Sequence, residues 1–188
     1  MTTQNTFTGS FGQVAPWTDL INSLEHNGLG QTTDHLQNPA WLKAFLHHWK
    51  FAAPPTRPIP HKSLIALRAL FREATEKLFA GKTPNPADLR KLNTFMSVWA
   101  HSKLFQRQNG FVLQEVPRHA TWPWVEAQIA KSFATALAEG QFQRVKVCPD
   151  PLCRWIFYDR TKGKTRVWCN EKTCGNRNRV RRSRAANK

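Results

Sequence analysis

Four cysteines provide the strongest chemical signal in the sequence. They form two pairs of equal spacing, each with four residues between its members: Cys148 and Cys153, then Cys169 and Cys174. Four thiolates suit a tetrahedral zinc ion, and two separated pairs allow ligands from distant points of the chain to converge. In a reducing compartment, clustered cysteines are more often metal ligands than disulfides. We expect one structural zinc ion held by all four residues, with two disulfides or unrelated buried thiols as the alternatives.

The residues between and after the cysteine pairs predict how the ligands are positioned. Residues 155–158 and 165–168 are strand-like and flank Lys162-Gly163, a pattern that predicts a hairpin between the two pairs. Asn170 is a suitable cap for a helix that carries Cys174 in its first turn. The segment 141–188 is therefore predicted to be a small treble-clef-like or ribbon-like zinc module. Its apolar core is small, so zinc binding should supply on the order of 10 kcal/mol of its folding free energy.

Excess positive charge is concentrated in the same segment. Residues 141–188 hold 14 Lys and Arg against 3 Asp and Glu, whereas residues 1–140 hold 14 against 9. The net charge of +16 for the whole chain indicates a polyanionic partner, with nucleic acid favoured over a membrane surface. The predicted terminal helix carries the candidate nucleic-acid contacts, which are Arg177, Arg179, Arg181, Arg182 and Arg184.

Two roles are open for the first of these arginines. A zinc ion with four thiolates has a formal charge of −2, so Arg177, three residues after Cys174, can either neutralise the centre or contact nucleic acid. The arginines from Arg179 onward lie too far along the helix to serve the metal. We assign these to phosphates and to one or two base edges, because guanidinium groups bind both in a bidentate manner. The alternative is a solvated tail without a partner.

The remaining 125 residues or so before the zinc module, 16–140, are predicted to form a mainly helical domain with one β-hairpin. Apolar residues at helical spacing predict helices over about 17–24, from Asn38-Pro39, over about 63–80, after Asn85-Pro86 and from Thr121 to Gly140. In the fourth helix the side chains expected to point inward are Leu89, Leu92, Met96 and Trp99. Alternating residues around Asn109-Gly110 predict the hairpin. The fold class is therefore α+β and mainly α, with residues 1–15 as a flexible arm.

The connection between the two parts is short. Only seven residues separate Gly140 from Cys148. That length is too small for a freely moving tether, so we expect the helical domain and the zinc module to dock against each other.

The cysteine segment resembles the CGNR zinc finger. The resemblance is carried by the two Cys-x4-Cys pairs, by residues 154–160, by Arg166-Val-Trp168-Cys169 and by Cys174-Gly-Asn-Arg177 with its basic tail. In bacterial proteins this finger follows an ABATE domain, and such proteins are regarded as stress-induced transcription regulators. Residues 16–140 resemble that domain more loosely, at Thr18 to Ser23, Asp34-x-Leu36, Trp41-Leu42, Pro86 to Leu89 and Asn109-Gly110. Ser23 stands where the family has threonine, and the arginine that follows it in the family is missing.

The sequence contains no recognisable catalytic constellation. It has no Gly-rich phosphate loop, no His-Glu-x-x-His and no Gly-x-Ser-x-Gly, and every cysteine belongs to the metal cluster. We expect no enzymatic activity. An apolar run long enough to span a bilayer and a signal peptide are both missing from the sequence, which predicts a cytoplasmic protein.

These observations favour a transcription regulator that binds duplex DNA through its zinc module, with the N-terminal domain as a sensor or assembly domain. RNA binding, and a protein-interaction finger without a nucleic-acid role, are the alternatives. A small effector in the N-terminal domain and a homodimer are left open.

Overall fold

The computed structural model describes residues 14–51, 58–108 and 110–187. Most of the expected N-terminal arm lies outside these residues, as does Asn109 of the predicted hairpin turn.

Six α-helices and six strands make up the described chain. The helices are α1 (Pro16–Asn22), α2 (Pro39–His48), α3 (His61–Phe79), α4 (Pro86–Met96), α5 (Trp122–Ala138) and α6 (Asn176–Ala186). The strands are β1 (Leu24–His26), β2 (Thr32–Asp34), β3 (Ala100–Arg107), β4 (Gly110–Pro117), β5 (Val145–Val147) and β6 (Ile156–Tyr158). They form three antiparallel pairs, β1 with β2, β3 with β4 and β5 with β6. The mainly helical α+β prediction is confirmed.

Side-chain caps start three of the helices where the sequence predicted. The Asn38 side chain accepts a hydrogen bond from the Ala40 amide, and the Thr121 hydroxyl accepts one from Trp124. Asn85 and Asp88 form a reciprocal capping box at α4. A proline lies in the first turn of each of these helices, where its missing N–H is not needed.

The first helix is shorter than predicted. It ends at Asn22, and Leu24, expected on its apolar face, instead begins β1 and pairs with Asp34 of β2. The reason is local: the Asn27 side chain accepts hydrogen bonds from the Leu29 and Gln31 amides, which stabilises a tight turn. That turn returns the chain antiparallel to itself, and the sequence pattern did not reveal the short strands on either side.

Two of the side chains expected to point inward from the fourth helix are exposed. Leu92 is buried, but Leu89 is 41% exposed and Trp99 is 94% exposed. The helix ends at Met96, where the Ser97 hydroxyl donates to the Asn93 carbonyl, so Trp99 lies beyond the helix and loses its register. The prediction that these two side chains are part of the core was wrong.

The hairpin of the zinc module also differs from the prediction. Strand β6 pairs with β5, in register Val147 with Ile156, and the first cysteine pair lies in the loop that joins them. Residues 165–168 form no strand. The predicted pairing of 155–158 with 165–168 was wrong because the β5 residues Val145 and Val147 are buried in the main core and provide the apolar partner for β6.

One hydrophobic core spans both parts of the chain. Phe71 of α3 stacks on Phe133 of α5 at 4.5 Å between ring centroids, and Trp17 of α1 meets Phe133 edge-on. Strands β5 and β6 contribute Val145, Val147 and Ile156 to the same cluster. The expected docking of the zinc module is therefore confirmed, and it is an extension of the core and not a polar surface contact. None of the described helices has both the length and the apolarity needed to cross a membrane.

Candidate metal centre and nucleic-acid interface

The four cysteine sulfurs converge on one point. Their Sγ atoms all lie within 4.8 Å of one another, with 3.5 Å between Cys153 and Cys169 and 3.6 Å between Cys169 and Cys174. Zinc bonded to four sulfurs at about 2.3 Å in a tetrahedron would separate them by about 3.8 Å. Cys148, Cys153 and Cys174 are buried, so the cluster is largely shielded from water. Donor type, number and spacing all fit zinc.

The thiols also influence one another's ionisation. Hydrogen bonds from the Cys153 and Cys169 side chains lower the pKa of Cys148. The same interaction raises the pKa of Cys153 to about 12 and that of Cys169 further. The physical cause is that several thiolates at this distance repel one another unless a cation lies between them. A divalent ion would displace these protons and offset half of the charge of the four thiolates, and Arg177 lies where it can offset part of the rest.

The loop between the first two cysteines is organised by Asp150. Its carboxylate is fully buried and accepts a hydrogen bond from the Leu152 amide, while its carbonyl accepts from the amides of Cys153 and Arg154. Arg154 adopts a left-handed φ of 54°, which turns the chain from the loop into β6. Sequence analysis missed Asp150, although an Asp between two prolines is a signal for such a turn.

Asp159 has the equivalent role between the cysteine pairs. This buried carboxylate accepts from the Thr161 amide and hydroxyl, from the Arg166 amide and from the Lys146 ammonium at 2.7 Å. Burial alone would raise the pKa of Asp159, but these hydrogen bonds outweigh burial and hold the pKa well below its ordinary value. Asp159 therefore fixes the course of residues 159–166, which have no strand partner of their own.

The second cysteine pair leads directly into the terminal helix. The Asn170 side chain accepts from the Lys172 and Thr173 amides, as the predicted cap, and a π-helical turn over Glu171–Gly175 carries Cys174. Helix α6 continues from that turn without a break. The orientation of α6 is therefore coupled to the geometry of the metal centre.

Arg177 is engaged inside the protein. Its Nε donates to Asp150 at 2.8 Å and its Nη2 donates to the sulfur of Cys174 at 3.3 Å. Gly28, in the turn between β1 and β2, lies directly against the same guanidinium. Of the two roles left open by the sequence, these contacts correspond to support of the metal centre. A contact between Arg177 and nucleic acid stays a prediction.

The other four arginines of α6 are more accessible. Arg179 is paired with Glu171 at 3.0 Å, with both side chains more than 60% exposed, and Arg181 approaches Asp150 at 3.6 Å. Arg182 and Arg184 are exposed and have no acidic partner among the described residues. Exposed ion pairs contribute little and exchange readily with another anion. This part of α6 therefore presents a cationic surface that protein carboxylates neutralise only in part.

A cleft lies between the helical domain and the zinc module. Its volume is about 270 Å³, and both parts line it: Thr18, Asp19 and Asn22 from α1, with Trp155, Phe157 and Arg166 among the residues from the module. From the sequence, an effector was considered between the N-terminal helices. This cleft differs in location, because a molecule bound there would touch both parts.

Two family models match successive parts of the chain. Residues 15–140 match the ABATE family model, described as "Putative stress-induced transcription regulator". Residues 144–186 match the model of the CGNR zinc finger. A search of curated proteins found no match to the chain.

Proposed function

Because the chain belongs to the ABATE family and ends in a CGNR zinc finger, we propose that it is a transcription regulator that binds duplex DNA through the arginines of α6. The observation that carries the proposal is the cationic part of α6, from Arg179 to Arg184, which extends from the metal centre and is exposed, with acidic partners for Arg179 and Arg181 only. A helix with so many like charges is stabilised when a polyanion lies against it.

The metal has a structural role in this proposal. One zinc ion would be held by Cys148, Cys153, Cys169 and Cys174, a donor set that fills all four tetrahedral positions and leaves none for a substrate. No catalytic step is part of the function. Zinc would instead connect the β5–β6 hairpin to the turn that begins α6, so that loss of the ion releases the helix from the rest of the protein.

The expected contacts follow from the exposure of each arginine. Arg179, Arg181, Arg182 and Arg184 would neutralise phosphates, with one or two of them reaching base edges in the major groove. Arg177 would fix the orientation of the helix through its hydrogen bonds to Asp150 and to the Cys174 sulfur. Four phosphate contacts predict that the logarithm of the binding constant falls with the logarithm of salt concentration at a slope of about −3 to −4.

The helical domain would act as the sensor or assembly part. Support comes from the cleft between the domain and the module, since a small molecule in contact with both could alter their relative stability.

Binding to three polymers at several salt concentrations tests the DNA proposal. Zinc-loaded protein would be titrated into labelled duplex DNA, single-stranded RNA and an uncharged labelled control, with fluorescence anisotropy as the readout. We expect DNA binding with the slope given above and weaker RNA binding. Tighter binding to RNA than to DNA would identify the protein as an RNA-binding protein. If neither polymer shows salt-dependent binding, the zinc finger would instead be assigned to protein interaction.

Metal content is tested separately. Native mass spectrometry of freshly purified protein should show one zinc ion per chain. After chelation, trypsin should cleave in the arginine-rich residues 154–184 while α3 stays protected. Intact disulfides in place of zinc would contradict the assignment of the cysteines.

A further inference from the structure

A short basic segment connects strand β6 to the second cysteine pair. Residues 160–166 read Arg-Thr-Lys-Gly-Lys-Thr-Arg, with four cations and no acid, and all seven residues are exposed. Like charges this close repel one another and by themselves favour an open, extended chain. A compact shape for this segment therefore needs contacts that hold it. We refer to residues 160–166 as the basic loop.

Two cations that precede the first cysteine pair hold the backbone of the basic loop in one shape. Arg144 donates a hydrogen bond to the Thr161 carbonyl at 2.9 Å. The ammonium of Lys146 donates to the carbonyls of Lys164 and Arg166 at 2.6 and 2.7 Å. These bonds fix both ends of the loop, so its backbone is ordered before any partner binds.

The tip of the basic loop has a strained backbone. Lys164 has a left-handed φ of 53°, a conformation that is unfavourable for a residue with a side chain. Its amide donates to the Thr161 carbonyl at 3.2 Å, which closes a tight turn with Lys162 and Gly163 in its centre. Strain of this kind persists only where surrounding contacts impose it, and it is common at functional sites. Two lysines are thereby held on one exposed turn.

The end of the basic loop is attached to the metal centre. Arg166 donates from Nε to the Trp168 carbonyl at 2.9 Å and from Nη2 to the Cys169 carbonyl. Its guanidinium also lies 4.9 Å from the centroid of the Phe157 ring. Cys169 and Cys174 both belong to the thiol cluster, and α6 continues from the turn that carries Cys174. The basic loop and α6 therefore extend from one centre, which fixes their positions relative to each other.

We propose that the basic loop is a second nucleic-acid contact, in which Lys162 and Lys164 bind backbone phosphates of the same duplex that α6 contacts. This inference rests on the DNA-binding function proposed above. Among the described residues Lys162 has no acidic partner, and the Lys164 ammonium donates to the neutral amide oxygen of Gln143 at 3.1 Å. Neither lysine is therefore neutralised by a carboxylate of the described chain.

Lysine chemistry and the fixed turn favour phosphate as the ligand. An ammonium is a compact point charge that binds a phosphate oxygen from many directions, whereas reading a base edge favours the planar fork of arginine. A turn that is already ordered loses little conformational entropy when a phosphate binds. Helix α6 alone is about 16 Å long, and a duplex is a polyanion long enough to reach the helix and the loop at once.

Removal of charge at the tip of the basic loop tests the proposal. Binding of zinc-loaded protein to labelled duplex DNA would be measured by fluorescence anisotropy over a salt series. Two phosphate contacts add about 2 to the magnitude of the log–log salt slope expected from α6 alone. The Lys162→Gln, Lys164→Gln variant should therefore lose about 2 of that slope, and Lys162→Arg with Lys164→Arg should keep it. Lys82→Gln with Lys91→Gln removes the same charge from exposed positions outside the zinc module and should leave the slope unaltered.

A photo-crosslinking amino acid at position 162 or 82 tests the contact directly. Position 162 should crosslink to duplex DNA, and position 82 should not. Polyglutamate, added as a second probe, represents an acidic protein partner. Equal zinc content and equal melting temperatures would show that all variants are folded.

Three results would overturn the proposal alone: an unchanged slope in the Lys162→Gln, Lys164→Gln variant, an equal loss of slope in the Lys82→Gln, Lys91→Gln control, or a crosslink from position 162 to polyglutamate but not to DNA. In each case the unaltered protein would still bind DNA through α6. If the unaltered protein shows no salt-dependent binding to DNA, the proposed function fails and this inference fails with it. The two failures are therefore distinguishable in one set of measurements.

Discussion

Gly28 of the β1–β2 turn packs directly against the guanidinium of Arg177 at the start of α6. Gly28 has a φ of 78°, and a Cβ atom at this position would overlap Nη1 and the central carbon of that guanidinium. Arg177 in turn donates hydrogen bonds to Asp150 and to the Cys174 sulfur. A turn of the N-terminal domain is thus in contact with the residue that supports both metal-binding loops.

A methyl group at Gly28 should displace Arg177 and weaken the metal centre. We expect Gly28→Ala to lower the free energy of unfolding by about 1–2 kcal/mol for its left-handed backbone and by about 1–3 kcal/mol more for the lost charge-assisted hydrogen bonds. Zinc transfer to a chromogenic chelator should be faster, because the Cys174 thiolate loses a donor.

Gly30→Ala is the matched control for this substitution. Gly30 also has a positive φ, of 89°, but nothing lies within 4 Å of a Cβ atom there. Gly30→Ala should lower the free energy of unfolding only by the amount due to the left-handed backbone, and the rate of zinc transfer should be unchanged. Equal zinc-transfer rates in the two variants would contradict a role for the Gly28 contact.

Asn22 connects the helical domain to the zinc module. Its side-chain amide donates to the Ile156 carbonyl at 2.8 Å and accepts from the Ile156 amide at 2.9 Å, and all of these groups are buried. Asn22→Ala leaves the N–H and the C=O of Ile156 without a partner. We therefore expect the free energy of unfolding of the zinc-loaded protein, measured with denaturant, to fall by about 2–4 kcal/mol. Asn93→Ala, at an exposed position of α4, should change the stability by less than about 0.5 kcal/mol. Similar losses in the two variants would show that the Asn22 bonds contribute little.

The Asp34–Arg68 pair should make stability depend on acid pH. Arg68 donates to both carboxylate oxygens at 2.6 and 2.8 Å, and this interaction lowers the pKa of Asp34. A carboxyl with a lowered folded-state pKa stabilises the protein above its unfolded pKa of about 3.9, and that contribution is lost as the pH falls through the folded value. Asp34→Asn should lower the free energy of unfolding by about 1–3 kcal/mol at pH 7.

The informative measurement is the difference in free energy of unfolding between wild type and Asp34→Asn at each pH. Zinc release in acid affects both proteins alike, so it cancels in that difference as long as both are folded. This difference in free energy should be constant from pH 7 to about 5 and should decrease below about pH 4. A gap that is unchanged in this acid range would mean that the ionised carboxylate is not what stabilises the pair.

The tip of α6 should contribute to DNA affinity through charge. Arg182 and Arg184 are exposed and have no acidic partner among the described residues, so their replacement by alanine should leave the melting temperature nearly unchanged. If both bind phosphates, the Arg182→Ala, Arg184→Ala variant should reduce the salt slope by about 2 and weaken binding most at low salt. Arg90→Ala with Lys91→Ala removes the same charge from α4 and should leave the slope unaltered. An equal effect of the two double variants would indicate attraction by net charge and not by α6.

Short-range patterns in the sequence predicted much of this structure correctly. Asn38 and Asn85 cap the helices they were expected to cap, because a cap and the amide it accepts from lie two or three residues apart. Thr121, predicted only as the start of a helix, caps α5 in the same way. The spacing of the cysteines likewise predicted a cluster before any fold was known, because two separated pairs of thiols suit a tetrahedral zinc site.

Contacts between distant residues escaped the sequence analysis. Trp99 was predicted to be buried from helical spacing, but a break in α4 three residues earlier exposes it. The partner of β6 was assigned to residues 165–168, yet β5 competes for it more effectively because Val145 and Val147 are already buried against the helical domain. In both cases the local sequence pattern was typical of the predicted structure, but tertiary packing favoured a different arrangement.

The sequence alone therefore determined the composition of the metal centre, the basic character of the terminal helix and the starts of most helices, because these depend on residue type and on neighbours within one or two turns. Only the tertiary structure decided how the zinc module is oriented. Asn22 and Ile156 lie 134 residues apart and Gly28 meets Arg177 across a similar distance along the chain. Such partners are selected by the burial of the shared core, and a single sequence contains no periodicity that identifies them.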